Sequence, residues 1–72
     1  MGTLINVTIN GAQTSIQSNT SIRNIIKSYS LNPNSIIVEV NETIIEKKNY
    51  NATILNENDS VELIRYIGGG AC

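Results

Sequence analysis

The sequence predicts a small α+β fold in which one helix is set among several strands, and three observations carry that prediction. The apolar side chains are mostly Ile, Val and Leu with no Phe or Trp, and β-branched aliphatics favour sheets. Residues 4 to 10 alternate polar and apolar with the period of two of a half-buried strand. Ile22, Ile25, Ile26 and Tyr29 recur instead at helical spacing.

Leu4 to Asn10 is read as the first strand, with Leu4, Asn6 and Thr8 on one face and Ile5, Val7 and Ile9 on the other. Asn10-Gly11 tolerates the positive φ of a tight hairpin turn, and Gln13 to Gln17 supplies a short return strand. Ser21 is placed at the helix N-cap. Asn24 cannot complete a capping box as Glu or Gln would, which leaves open a start one residue earlier. The helix ends by Leu31-Asn32-Pro33-Asn34, because Pro33 pushes residue 32 out of the α region and Asn32 accepts a left-handed conformation.

Ser35 to Val40 is a dense β-branched run, expected to be an internal strand with much of both faces covered. Asn41-Glu42-Thr43 then turns into a short Ile44-Ile45 segment. Lys47-Lys48-Asn49-Tyr50 reads as irregular, with Tyr50 folding back onto the core. Asn56-Glu57-Asn58-Asp59 is a cluster of turn formers, and Ser60 to Ile67 makes the last strand. On it Val61, Leu63, Arg65 and Ile67 share one face, of which Val61 and Leu63 are expected in the core. Glu62, Ile64 and Tyr66 share the other, which leaves Ile64 and Tyr66 exposed just ahead of Gly68-Gly69-Gly70.

A chain of 72 residues forms one small domain with no room for a cleft of its own. Residues 1–67 are read as that domain and 68–72 as a flexible tail, since three consecutive glycines thread a channel that a side chain would block. With no histidine and the single cysteine Cys72, neither a metal site nor an internal disulfide is expected. The scattered carboxylates form no acid–base pair, so an enzyme is not expected. Net charge is −1 with both signs interspersed, which argues against nucleic acid as a partner. The first residues lack a secretory pattern and no stretch is long and apolar enough for a membrane span, so a cytoplasmic location without membrane attachment is expected. Five Asn-x-Ser/Thr tripeptides, beginning at Asn6, are then read as chance matches in an Asn-rich chain.

An N-terminal hairpin, one helix, a β-rich second half and a last strand that releases a glycine tail resemble the β-grasp proteins related to ubiquitin. Ile37 to Ile45, Tyr50, and Asn58 to Gly70 are together similar to the ThiS family, the sulfur carriers of thiamin thiazole synthesis. The resemblance covers nearly the whole chain and implies a mixed sheet of four to five strands packed on one helix. It also implies that the Gly70 carboxylate is adenylated by an E1-like adenylyltransferase using ATP, then converted to a thiocarboxylate with sulfur from a persulfide donor and passed to a thiazole synthase. The chain itself binds no cofactor on this reading.

Gly68 and Gly69 would thread into the partner, with Ile64, Tyr66 and Ile67 as the docking surface. Family members usually stop at the glycines, whereas this chain continues with Ala71-Cys72, and a capped carboxylate cannot be activated. The favoured expectation is that a processing peptidase removes Ala71-Cys72. The alternatives are that Cys72 carries sulfur as a persulfide, or that the two residues are an incidental end. A molybdopterin-type carrier, a carrier of another sulfur-transfer pathway, and a ubiquitin-like modifier are the competing functions.

Overall fold

The computed structural model describes residues 2–66. Within them the chain runs β1 (Leu4–Ile9), β2 (Ala12–Gln17), α1 (Ile22–Ser28), β3 (Ile36–Val40), β4 (Thr43–Ile45) and β5 (Ser60–Arg65), with short 3-10 turns at Pro33–Ser35 and Lys47–Asn49. The strands form a single mixed sheet in the order β2-β1-β5-β3-β4. β5 lies at its centre, parallel to β1 and antiparallel to β3. Ile44-Ile45, read only as a short segment after a turn, belongs to the edge strand β4. The expected boundary between residues 67 and 68 lies outside the described residues.

Both hairpins turn on an asparagine and the residue after it, each with positive φ. Asn10 (51°) and Gly11 (83°) join β1 to β2, and Asn41 (51°) and Glu42 (69°) join β3 to β4. A left-handed Glu is strained, since only Gly and, less readily, Asn or Asp enter that region at low cost.

α1 starts at Ser21, whose Oγ accepts the Asn24 backbone N–H at 3.1 Å, so the earlier start left open by the sequence is not used. The helix end differs from expectation. The left-handed residue is Ser30 (φ 57°), while Asn32 is extended (φ −89°, ψ 116°), as the residue before a proline should be. Ser30 N–H donates to Lys27 O and Leu31 N–H to Ile26 O, the paired bonds of a Schellman motif. The chain therefore leaves the helix before Pro33 needs to stop it.

Ile22, Ile25 and Ile26 bury one face of α1 against Val7, Ile9, Ile36, Val38, Val61 and Leu63 of the sheet. Each buried aliphatic side chain contributes about 1.5–3 kcal/mol, which holds a seven-residue helix that would not persist alone. Tyr50 and Leu55 from the irregular crossover complete the core, as Tyr50 was expected to do.

The crossover also serves the helix start. Thr53 O accepts from Ile22 N–H at 2.9 Å and Tyr50 O from Arg23 N–H at 3.0 Å, so first-turn donors that α1 cannot satisfy internally find partners there.

β3 is internal, as expected, but it is not covered on both faces. Ile36 and Val38 are buried whereas Ile37 is exposed, because the only helix among the described residues packs on one side of the sheet.

Candidate functional site

The last strand places the candidate site. A turn at residues 56–59 delivers the chain into β5, and side chains fix it on both sides. Asp59 Oδ2 accepts Asn56 N–H at 2.7 Å and its Oδ1 accepts from Asn41 Nδ2 at 2.9 Å, while Glu57 Oε1 accepts Asn6 N–H at 3.0 Å. Asn41 Oδ1 accepts Ser60 N–H and Asn10 Oδ1 accepts Leu63 N–H, so the two hairpin asparagines also hold the strand. β5 is thus paired on both edges, with β1 and with β3.

Val61 and Leu63 face the core, and Ile64 and Tyr66 are exposed, as the alternation required. The strand itself closes at Arg65 rather than Ile67. Tyr66 N–H donates to Ser35 O at 3.1 Å and its hydroxyl to Asn34 O at 3.1 Å, so the Pro33–Ser35 turn receives the residue that leaves the sheet. Burial raises the Tyr50 hydroxyl above the ordinary value of 10.0, with a further contribution from Tyr66. The readings placed on Ile67, Gly68, Gly69, Gly70 and Cys72 lie outside the described residues.

The outer sheet face carries residues that the sequence reading missed. Ile37 pairs directly with Ile64 across β3 and β5, and Ile44 on β4 pairs with Glu39. Ile37, Ile44 and Ile64 are all exposed. The signal was present in the alternation of Ile36-Ile37-Val38, but a run of β-branched residues masks which face is which until the helix is placed. Among the described residues no cluster of His, Cys, Asp and Glu could hold a metal ion, and no helix is long and apolar enough to cross a membrane.

Among the described residues, a single α-helix packed on a mixed five-stranded sheet whose central strand precedes Gly68-Gly69-Gly70 in the sequence is a β-grasp arrangement. The ThiS family model matches residues 4–70. The sulfur carrier protein ThiS of Bacillus subtilis is 36% identical over 50 residues, which is 69% of this chain and 76% of that protein. A thiazole synthase of Magnetococcus marinus is 27% identical over 62 residues, covering 86% of this chain, and the match spans only 19% of the synthase. The crystal structure of a thiamine biosynthesis protein, ThiS, from Geobacter metallireducens shares the fold with a TM-score of 0.79 at 23% identity, covering 92% of this chain and all of that one. The chain belongs to the ThiS family. It is a ThiS-like sulfur carrier of thiamin biosynthesis and not an enzyme.

Proposed function

We propose that the chain carries sulfur as a thiocarboxylate on Gly70 for formation of the thiamin thiazole, after a peptidase removes Ala71-Cys72. The observation that carries this reading is the extent of the family match, which continues past the last strand through the three glycines and ends at residue 70. An E1-like adenylyltransferase joins the Gly70 carboxylate to the α-phosphorus of ATP, and pyrophosphate leaves. The terminal sulfur of a donor persulfide then attacks the acyl carbon and AMP departs. A thiol cleaves the resulting acyl disulfide, leaving the thiocarboxylate.

The adenylating site has to enclose the acyl group while excluding water, and a Cβ at Gly69 or Gly70 would obstruct that approach. Binding of the tail gains affinity from a folded docking surface, for which Ile64, Tyr66 and Ile67 are the candidates, joined by Ile37 on the same sheet face as Ile64. The Magnetococcus relative, a thiazole synthase that contains a segment like this chain, supports a thiazole synthase as the sulfur acceptor.

Intact mass of the native protein from its own cells, taken before and after incubation with ATP, the adenylating enzyme and a persulfide donor, tests the reading. The expected product lacks Ala71 and Cys72 and has one terminal oxygen replaced by sulfur; Gly70→Val should abolish that exchange while the melting curve is unchanged. A full-length chain bearing an added sulfur that reductant removes would move the chemistry to Cys72 and overturn the proposal.

A further inference from the structure

On the face of α1 away from the outer sheet surface lies a groove of about 120 Å³ lined by Arg23, Ile26, Lys27, Leu31, Pro33 and Tyr50. Its floor is apolar: Ile26 and Tyr50 are buried, and Leu31 and Pro33 are half-buried. The size approaches the roughly 150 Å³ cavity that takes up benzene in an engineered protein core, which is room for one branched or aromatic side chain.

The rim is cationic. Arg23 and Lys27 are four residues apart and thus neighbours on the helix surface, both are exposed, and neither pairs with a carboxylate among the described residues. α1 contains no acidic residue. Lys47 adds a third charge nearby through its hydrogen bond to Asn34 Oδ1, next to Pro33. Glu46, next to Lys47, pairs with Lys48 at 3.5 Å, and Glu42 lies in the β3-β4 turn. Glu57 and Asp59 are tied to Asn6, Asn41 and Asn56 at the start of β5, and Glu39 and Glu62 face each other across β3 and β5.

We propose that this groove docks an acidic segment of a partner protein, which inserts one leucine- or phenylalanine-sized side chain against Ile26, Leu31, Pro33 and Tyr50 and sets carboxylates beside Arg23 and Lys27. Charge complementarity selects the occupant. An uncharged apolar segment would leave Arg23 and Lys27 without counter-charge, and a basic one would be repelled. Exposed charge pairs alone hold a partner weakly, so the inserted side chain supplies affinity while the cations fix its register and speed encounter. The groove adjoins the Pro33–Ser35 turn that receives Tyr66, so a partner held there would stand beside the exit of the last strand. None of this depends on the sulfur chemistry of the tail.

The test is an amide NMR titration of the full chain with the peptide acetyl-Glu-Glu-Phe-Glu-Glu-amide. Saturable shifts are expected at Arg23, Ile26, Lys27, Leu31 and Tyr50. Affinity should fall about tenfold or more when the peptide glutamates become glutamines, when its phenylalanine becomes alanine, and in the double variant Arg23→Glu, Lys27→Glu. Raising salt to about 1 M, where screening acts over about 3 Å, should weaken binding of the acidic peptide alone. Shifts confined to the outer sheet face, or equal binding of the glutamine peptide, would overturn the proposal. Because the peptide changes are made against the unaltered protein, the test stands even if the double variant unfolds.

Discussion

Tyr50 is 6% exposed, its side chain packs with the core, and it carries a titratable hydroxyl. Burial first, and the nearby Tyr66 second, raise its pKa above 10.0, so the folded chain holds this proton more tightly than the unfolded chain does. The stabilisation is therefore complete below pH 10.0 and is lost as pH rises from there through the raised value, with a limiting slope of about 1.4 kcal/mol per pH unit. Tyr50→Phe removes the titrating group. The stability curves of the two proteins, measured by urea unfolding, should run parallel at neutral pH and converge or cross just above pH 10.0; parallel curves throughout would show that the hydroxyl does not titrate differently on folding. Residue-scale roles of this kind were only partly legible. That Tyr50 returns to the core follows from its being the lone apolar residue in a polar stretch, but nothing local signals that Asn10 holds the Leu63 N–H, since those residues are 53 apart in sequence.

Elements were legible where the pattern is local. Strand alternation in β1, the Asn10-Gly11 turn and the Ser21 cap depend on neighbours a few residues away, and each lies where the sequence placed it. The helix end was misread because Asn32 is the better left-handed residue by type, whereas the Schellman bonds require that conformation at Ser30, one position after the C-cap Tyr29. β3 was assigned two covered faces because composition reports hydrophobicity and not which side a helix occupies. Its pairing with β5 also brings Glu39 directly opposite Glu62, a like-charge pair invisible without the register. Such pairs oppose sheet formation, so Glu62→Lys should stabilise the domain by about 0.5–1 kcal/mol, raising Tm by a few degrees for a domain this small. Thermal melts at low and high salt check this: the gain should shrink in high salt, and a lower Tm for the variant would mean that the glutamates are not in repulsive contact.

For the molecule as a whole, the two sides of the sheet differ in what they pack against. The inner side holds Val7, Ile9, Val38, Val61 and Leu63 against α1, so substitutions there act through stability, whereas the outer side exposes Ile37, Ile44 and Ile64 with no packing role toward the helix. The sequence revealed Ile64 because it precedes the glycines. It did not reveal Ile37 and Ile44, because only the β5-β3-β4 order brings them to the same face. Ile64→Asp separates a role in stability from the proposed role in docking. Its side chain is 41% exposed, so the charge remains solvated in the free domain and Tm should change little. In a complex that buries this face the same carboxylate would be desolvated beside Ile37, and affinity for the proposed adenylating partner should fall on the order of tenfold or more. Calorimetric titration of that partner with both proteins, alongside their melting curves, gives the comparison. Unaltered affinity with an unaltered melt would remove Ile64 from the interface, and a collapsed melt would show that the outer face does carry stability.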